Sequence, residues 1–369
     1  MGKQTRPAWV EVNLASIAYN VQYFKKLIHE NCQLLAVVKA NAYGHGDLAV
    51  VRTALSNGAT WIGVALPEEG VRLRRAGIAA PILVLGAVGQ EQLELCVTKD
   101  LACTVFQWSI AQSLSNLAIR YNKTVRVHLK IDTGMGRLGI LPSEALRFAI
   151  AVSRLPGIQI QGILTHFATA DQPEDQYVHW QLEQFEKVIA ELSAHHINIP
   201  IKHCANTSAV LFLPEAHFDL VRVGIGLYGL HPQGKRSNLH PAMSFKCRIA
   251  AARRVPAGSA ISYGASYITK KETTIAILPV GYADGVSRRL SNQGEVLIDG
   301  NRFPIIGKVC MDHCMVDVGD FPIEIGQEVT LIGRQGNQEI TVEDWADWLG
   351  TINYEVPCMI SERVPRIYT

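Results

Sequence analysis

The stretch Leu34-Leu35-Ala36-Val37-Val38-Lys39 is followed directly by Ala40-Asn41-Ala42-Tyr43-Gly44-His45-Gly46. Its first half is a short apolar run typical of a buried strand, and its second half contains the glycines of a turn. We therefore expect Lys39 at the C-terminal end of a buried strand, where desolvation favours the neutral amine that forms an imine with a carbonyl. A lysine at a strand end can equally extend its charged head into solvent. This stretch alone leaves both interpretations open.

Eight β-rich runs alternate with segments of helical periodicity in the first two thirds of the chain. They cover residues 34–39, 61–64, 82–85, 102–105, 125–131, 158–166, 199–204 and 220–223. Alternating strands and helices indicate a parallel sheet, and eight such units favour a (β/α)8 barrel over an open doubly wound sheet. We predict an α/β protein with an N-terminal TIM-like barrel at residues 11–235.

After Gly229 the pattern changes to β-rich runs without long helices between them. These runs cover residues 244–255, 273–280, 295–298, 303–318 and 328–332. They predict a mostly antiparallel β domain at residues 236–369, with a short helix near residues 342–349 and a linker at residues 231–238. Residues 1–10 are assigned to the same domain, because residues 9–12 read as an edge strand that pairs outside the barrel.

Composition narrows the class of protein. A chain of 369 residues, 48% of them hydrophobic, has material for two domains, and a net charge of +2 without a basic stripe argues against nucleic acid as a partner. No apolar run reaches membrane-spanning length, and the first residues lack a signal-peptide core. The eight scattered cysteines suggest thiols in a reducing compartment. We expect a cytoplasmic protein without a metal site, since the cysteines at 310 and 314 have no second ligand cluster at zinc-like spacing.

Polar side chains follow the predicted strand ends, where barrel enzymes place their reactive groups. They are Lys39 after the first strand, Lys130 to Arg137 after the fifth, His166 after the sixth, Asn206 to Ser208 after the seventh, and Arg222 to Gly226 after the eighth. The Thr207 hydroxyl and the amides of Gly224 and Ile225 could bind a phosphate. Beside an imine-forming lysine, a phosphate site points to pyridoxal 5′-phosphate.

Seven stretches together resemble the alanine racemase family. They are residues 36–46, Lys130-Ile131-Asp132-Thr133-Gly134-Met135-Gly136-Arg137-Leu138-Gly139, Arg222-Val223-Gly224-Ile225, Ser262-Tyr263-Gly264, Gly281-Tyr282-Ala283-Asp284-Gly285, Cys310-Met311-Asp312 and Asn353-Tyr354-Glu355. The resemblance spans the chain in order. It implies a pyridoxal 5′-phosphate enzyme that interconverts L-alanine and D-alanine and supplies D-alanine for bacterial peptidoglycan. It also implies a homodimer in which each β domain completes the partner's active site.

The resemblance implies that Lys39 and Tyr263 are the two catalytic bases. Lys39 would bind the cofactor and act on one face of the substrate Cα, and Tyr263 would act on the opposite face. Racemisation needs both faces, because a proton returned from the same side regenerates the starting enantiomer. A phenol is a weak base at neutral pH, so nearby cations must favour its phenolate. Taken alone, Tyr263 also reads as a turn tyrosine packed beside Gly264.

Three polar residues would tune the cofactor and hold the substrate. Arg222 resembles the group facing the pyridine nitrogen, where an always-charged arginine leaves that nitrogen neutral and weakens the electron sink. His166 would support Arg222. Arg137 would orient the phenolic oxygen of the cofactor and the substrate carboxylate. Ion pairs with Asp132 or Glu144 are the alternative reading of Arg137.

The remaining site residues are assigned by the same resemblance. The phosphate would contact Tyr43, Thr207 and Tyr354 and the amides of Gly224 and Ile225; Thr207 stands where the family usually has serine but keeps the hydroxyl. Met311 and Tyr354 would narrow the pocket to a small side chain, with Tyr282 at its mouth and Asp312 in support. Lys130 resembles a lysine that some members carbamylate to position Arg137. Met311 also reads simply as a core residue.

Three other functions compete. Amino-acid decarboxylases of the same fold type share the barrel and the cofactor lysine, but their Gly-rich phosphate loop, acid facing the pyridine nitrogen and C-terminal cysteine near a serine are not evident. A non-catalytic pyridoxal phosphate carrier would lack the domain beyond about residue 240. A racemase acting on another small amino acid, such as serine, is the nearest rival.

Overall fold

The computed structural model describes residues 6–234 and 237–369. Met1–Thr5 lie outside the described residues, and they include most of the N-terminal segment in which the sequence analysis found no signal-peptide core. Lys235 and Arg236, at the predicted linker and domain boundary, also lie outside them. The strands are β1 (Ala8–Val12), β2 (Gln33–Val37), β3 (Trp61–Val64), β4 (Ile82–Val84), β5 (Ala102–Val105), β6 (Val125–Lys130), β7 (Ile158–Leu164), β8 (Ile201–His203), β9 (Leu220–Val223), β10 (Met243–Arg248), β11 (Ala251–Val255), β12 (Ala260–Ile261), β13 (Tyr267–Ile268), β14 (Thr273–Leu278), β15 (Glu295–Ile298), β16 (Asn301–Ile306), β17 (Cys314–Gly319), β18 (Glu328–Gln335), β19 (Gln338–Ile340) and β20 (Arg366–Tyr368).

The right-handed α-helices connect or flank these strands. They are α1 (Leu14–Leu27), α2 (Asp47–Ser56), α3 (Pro67–Arg75), α4 (Leu93–Thr98), α5 (Trp108–Arg120), α6 (Ala145–Ser153), α7 (Gln176–Ala194), α8 (Thr207–Phe212), α9 (Val342–Leu349) and α10 (Glu355–Met359). By its contacts the chain divides into two compact units. The barrel unit comprises Ile17–Ala42 and Asp47–His240, and the β unit comprises the residues up to Ser16, Tyr43–Gly46 and Pro241–Thr369.

Eight parallel strands form the barrel unit, in the order β8-β7-β6-β5-β4-β3-β2-β9. The Arg222 N–H donates to the Ala205 carbonyl at 2.9 Å and the Asp219 N–H donates to the Lys202 carbonyl at 3.1 Å, which nearly closes the ring between β8 and β9. Most residues of these strands are buried, as expected for a parallel sheet covered on both faces, although the first half of β7 is partly exposed. The predicted TIM-like barrel is therefore confirmed.

The β unit is built on one large sheet in the order β11-β14-β17-β16-β15-β18-β10-β1-β20. Its pairs are antiparallel except that of β1 with β20. Buried and partly exposed residues alternate along β17, because one face of the sheet packs on the core. The mostly antiparallel domain and the helix α9 are confirmed.

Three sequence-based expectations about this sheet are wrong. The run 244–255 is two strands, β10 and β11, because the first pairs with β18 and the second with β14. The run 303–318 is two strands, β16 and β17, because Gly307 has a φ of +68° and the Cys310 N–H donates to the His313 carbonyl at 2.8 Å in the intervening turn. The strand β1 is not an edge strand. It lies between β10 and β20, so its backbone groups are paired on both sides.

Candidate active site

Lys39 begins a left-handed turn rather than ending a strand. The strand β2 stops at Val37, and residues 40–43 all have φ values between 50° and 54°. Such a conformation costs an L-residue about 1–2 kcal/mol, so tertiary contacts must hold it. The Glu69 carboxylate accepts the Ala40 N–H at 2.6 Å, and the Asn41 side chain accepts the Asp47 N–H at 3.0 Å.

The expected desolvation of Lys39 is wrong for this chain, because its side chain is exposed. The strand end before it is nevertheless firmly fixed. The Val37 carbonyl accepts the Tyr228 hydroxyl at 2.8 Å, and the Val38 N–H donates to the Gly63 carbonyl at 2.8 Å. The turn that carries the Lys39 amine therefore begins directly after a firmly held strand end.

Arg222 is buried at 4% exposure and connects three strand ends. Its two terminal nitrogens donate to the carbonyls of Thr165, His203 and Cys204, each at 2.9 Å. They also contact His166 Nδ1 at 3.2 Å and His203 Nδ1 at 3.1 Å. Its Nε donates to none of the residues that the structure describes, so this N–H is the donor that Arg222 can offer to a ligand.

Three histidines around Arg222 form a directed hydrogen-bond chain. Since an arginine only donates, His203 Nδ1 and His166 Nδ1 must accept, and both rings carry their proton on Nε2. His203 Nε2 then donates to His128 Nδ1 at 2.8 Å. The sequence predicted His166 as a partner of Arg222, and the structure adds His203 and His128.

Burial and positive charge keep these histidines neutral. Desolvation, then the charges of Arg222, Lys130, Arg137 and Lys39, hold the pKa of His166 well below its usual range. Desolvation lowers the pKa of the Arg222 guanidinium to about 10, which leaves it charged at neutral pH. Desolvation also holds the pKa of Lys130 well below its usual range, with smaller effects from Arg222 and Arg137. The site is thus a cluster of cations around a neutral imidazole.

The two fully buried histidines predict a loss of stability in mild acid. Desolvation lowers the pKa of His128 to about 3, and burial followed by the Arg222 charge depresses the pKa of His203. Below about pH 6.5 His128 and His203 are protonated in the unfolded chain but stay neutral in the folded chain, so the free energy of unfolding falls as the pH falls. Urea unfolding should show a loss of about 3 kcal/mol from these two groups between pH 7.5 and 5.5. His128→Gln should flatten this dependence, and an equal slope in that variant would contradict the assignment.

Arg137 lies on an exposed loop after β6 that Asp132 organises. The Asp132 carboxylate accepts the amides of Gly134 at 3.0 Å and Gly136 at 3.1 Å. Among the described residues Arg137 forms no ion pair, and Glu144 pairs with Arg147 instead. The ion-pair reading of Arg137 is therefore wrong.

The predicted phosphate contacts of the barrel unit do come together. Thr207 begins α8, and its Oγ1 accepts the Gly224 N–H at 2.9 Å and lies 3.5 Å from the Gly226 nitrogen. Gly224 is followed by a short 3₁₀ turn, Ile225–Tyr228. The Thr207 side chain and this turn form a small polar cradle at the ends of β8 and β9.

Three predicted site segments of the β unit also converge. The turn of Tyr263 is fixed by the Ser262 hydroxyl, which donates to the Lys308 carbonyl at 2.6 Å. The Tyr282 N–H donates to the Cys310 carbonyl at 3.0 Å. A Cβ on Gly281 would approach that same carbonyl oxygen to 2.2 Å, so only glycine permits this contact. Tyr263, Tyr282 and Met311 are all exposed, at 70%, 44% and 53%.

Ionic contacts stabilise the turns that carry Tyr282 and Met311. The buried Asp284 carboxylate accepts the Gly281 N–H at 3.1 Å and pairs with Arg6. Arg363 reaches the same carboxylate at 3.5 Å and donates to Asp312 at 2.7 Å. Asp312 therefore supports the turn that carries Met311 through Arg363.

Tyr43 and Tyr354 lie together in the β unit. Tyr43 is buried, and desolvation raises the pKa of its hydroxyl, with smaller contributions from Tyr354 and Cys358. The phenol of Tyr43 consequently stays protonated and can donate a hydrogen bond to an anion. The segment 43–46 thus belongs to the β unit although it directly follows the turn of Lys39.

Sequence reasoning missed Glu69, His203 and His128. Glu69 fixes the left-handed turn from α3, and its other oxygen accepts the amides of Ala65 at 2.8 Å and Leu66 at 3.1 Å. An acidic residue in the first turn of a helix is an ordinary N-terminal feature and gives no hint of this role. The inward positions of His128 and His203 could have been inferred from strand alternation.

Comparison with known proteins identifies the family of this chain. The family described as alanine racemase, N-terminal domain, matches residues 12–232, and its C-terminal counterpart matches residues 242–368. An alanine racemase of Halothermothrix orenii is 46% identical, with 99% of this chain and 97% of the relative covered. One from Methanococcus maripaludis is 43% identical, with 99% of each covered.

Solved structures show the same likeness across both units. An alanine racemase structure from Bacillus anthracis has a TM-score of 0.95 at 40% identity, covering 100% of this chain and 96% of that one. A histidine racemase from Leuconostoc mesenteroides has a TM-score of 0.92 at 29% identity, covering 100% and 99%. No helix in the described part of the chain is long and apolar enough to cross a membrane. The matches extend over both units and nearly the whole length, and the chain belongs to the alanine racemase family.

Proposed function

We propose that this protein interconverts L-alanine and D-alanine with pyridoxal 5′-phosphate, and so supplies D-alanine for bacterial peptidoglycan. The observation that carries the proposal is the cluster of Lys39, Lys130, Arg137 and Arg222 around a neutral His166. Within the described residues, Asp132 is the carboxylate whose charge acts on the buried amine of Lys130. This excess of positive charge fits an anionic cofactor, and the Thr207 cradle at the ends of β8 and β9 fits its phosphate.

The bound cofactor would supply an electron sink for the negative charge that develops at the substrate Cα. Lys39 would bind it covalently and then, once released by the substrate amine, exchange a proton with Cα on one face. Tyr263 would exchange a proton on the other face. Both side chains extend from fixed backbone and are exposed, so both can reach a ligand.

Arg222 would determine how strongly the bound cofactor withdraws electrons from the substrate Cα. Its terminal nitrogens are committed to His166, His203 and three carbonyls, so only Nε–H remains for the pyridine nitrogen. A guanidinium cannot accept a proton, so it would hold that nitrogen in its neutral form.

The other residues would bind and orient. Arg137 would bind the substrate carboxylate through its fork of donors, and Lys130, a buried amine whose pKa desolvation holds well below its usual range, is suited to carbamylation that would position Arg137. In the barrel unit the Thr207 hydroxyl and the Ile225 amide would hold the phosphate, while the Gly224 N–H donates to Thr207 Oγ1 and orients that hydroxyl. Tyr43 and Tyr354 are the phosphate contacts that the resemblance implies in the β unit. Met311 and Tyr354 would restrict the side-chain pocket, with Tyr282 at its mouth.

We further propose a cytoplasmic homodimer in which each site joins Lys39 of one subunit to Tyr263 of the other. All eight cysteines are thiols, which supports a reducing compartment. Tyr263 and Met311 form part of an exposed surface of the β unit, which supports a surface that meets a partner.

A mixed dimer tests the shared site. Lys39→Ala and Tyr263→Phe should each be essentially inactive, but a dimer of one subunit of each has one site with both changes and one with neither. Random exchange makes half of the dimers mixed, so activity should recover to about a quarter of that of the unchanged protein. The measurement is alanine turnover after mixing the two variants under conditions shown to exchange subunits. No recovery would mean that both residues come from one subunit.

Substrate choice between alanine and serine needs its own experiment, because a histidine racemase shares this fold. Purified protein with added cofactor would be incubated with L-alanine and, separately, with L-serine while the optical rotation is followed. We expect alanine to lose its rotation at least tenfold faster, since a hydroxymethyl group must fit the pocket narrowed by Met311 and Tyr354. Faster loss with serine would make this a serine racemase.

A further inference from the structure

The N-terminal part of α7 faces the two barrel loops that carry Arg137 and His166. Tyr177 and Gln181 are four residues apart on this helix and so lie on one face. The Tyr177 hydroxyl donates to the Gly134 carbonyl at 2.8 Å, within the loop of Arg137. Trp180 stacks on the Tyr177 ring at 5.3 Å between centroids and fixes its orientation.

Gln181 is fully buried and joins both loops through its amide group. Its Oε1 accepts the Ala168 N–H at 2.8 Å, and its Nε2 lies 3.3 Å from the His166 carbonyl. The same nitrogen lies 3.5 Å from Thr133 Oγ1. One side chain thus contacts His166, Ala168 just after it, and Thr133 at the start of the Arg137 loop.

A pair of buried hydroxyls extends this network to Arg222. Thr133 Oγ1 and Thr165 Oγ1 are 2.8 Å apart, and the Thr165 carbonyl accepts Arg222 Nη2 at 2.9 Å. The loop of Arg137, the segment of His166 and the guanidinium of Arg222 are therefore connected through groups that α7 holds in place.

The packing against Gly134 shows how tightly the helix and the loop fit. A Cβ built on Gly134 would come within 2.3 Å of the Tyr177 hydroxyl and 3.1 Å of the Trp180 ring. The loop therefore approaches α7 too closely for any side chain at this position.

We propose that Tyr177 and Gln181 are positioning residues that hold Arg137 and His166 in register with Arg222. The inference rests on the proposed function for the role of Arg137 in binding the substrate carboxylate. A side chain that orients a reacting group can lose much of its effect when it is displaced by about 1 Å. The helix α7 thus sets the geometry of substrate binding without touching the substrate.

Two variants and a control on the same helix test this proposal. Tyr177→Phe removes only a partly exposed hydroxyl, and Gln181→Met keeps the length of the side chain but removes its hydrogen bonds. Gln184→Met is the control, because Gln184 is half-buried on α7 and takes no part in the network. Amide hydrogen exchange of segments 133–139 and 165–168 is measured with KM and kcat for both alanine enantiomers.

Tyr177→Phe should speed exchange in 133–139 and raise KM about three- to tenfold for both enantiomers, with kcat changed less than about twofold. Gln181→Met should speed exchange of the Ala168 amide about tenfold or more. Exchange and KM within twofold of the unchanged protein in Tyr177→Phe would overturn the proposal, as would a raised KM without faster exchange. Absence of alanine racemisation in the unchanged protein would reject the proposed function, whereas the exchange data would still decide whether α7 anchors the loops.

Discussion

Lys39→Ala should abolish alanine racemisation and remove the visible absorption of the lysine-bound cofactor. No other residue of the cation cluster is proposed to bind the cofactor covalently. The buried Lys130 amine faces the charges of Arg222 and Arg137. Loss of a covalent anchor that is also a base should reduce kcat by at least about 10³-fold. The measurement is turnover together with an absorption spectrum of the protein after incubation with the cofactor.

Lys187→Ala provides a matched control, because Lys187 is an exposed lysine of the barrel unit paired with Glu183 at 2.8 Å on α7. This variant should keep both turnover and spectrum. If Lys39→Ala keeps the visible absorption and borohydride still attaches the cofactor to the protein, another lysine is the anchor.

Tyr263→Phe should nearly abolish exchange of the α-hydrogen of L-alanine with solvent. By the family resemblance Tyr263 takes the proton from L-alanine and Lys39 takes it from D-alanine, so the variant loses one of two bases. General-base catalysis contributes about 10²–10⁴-fold, and the exchange rate of L-alanine should fall by that order. Proton NMR in deuterated buffer follows both enantiomers separately.

Tyr267→Phe is the control for this change. Tyr267 lies four residues away, and its hydroxyl donates to Asp317 at 2.9 Å rather than to a group of the converging turns. The Tyr267→Phe variant should exchange the α-hydrogen of L-alanine at close to the rate of the unchanged protein. Full exchange of the L-alanine α-hydrogen by Tyr263→Phe would remove this tyrosine from the mechanism.

Local patterns were sufficient to predict the barrel and several of its strand-end groups. Parallel strands leave apolar runs in the sequence, and their carboxyl ends collect polar residues such as Lys130 and Arg222. The run 125–131 therefore predicted β6 and the position of Lys130 at its end. The helix α9 was also predictable, since Thr341 and Gly350 give it an N-cap and a left-handed C-cap.

The features that local patterns did not predict depend on distant contacts. Ala40 and Ala42 give no sign of a left-handed turn, because the carboxylate that fixes it comes from Glu69 on another helix. The interior position of β1 depends on β20 at the far end of the chain. The exposure of Lys39 could not be read from the apolar run before it, since a turn rather than the strand carries its side chain.

The central claim is that two bases act on opposite faces of Cα, and the isotope content of the first product tests it most directly. L-Alanine carrying protium at Cα is incubated in deuterated water with the protein. The D-alanine formed in the first few per cent of the reaction is isolated, and its deuterium content is measured by mass spectrometry. With Lys39 and Tyr263 as separate bases, the D-alanine should carry solvent deuterium while the remaining L-alanine keeps protium. D-Alanine that retains the original protium would show that one base carries the same proton from one face of Cα to the other, and would contradict the two-base account.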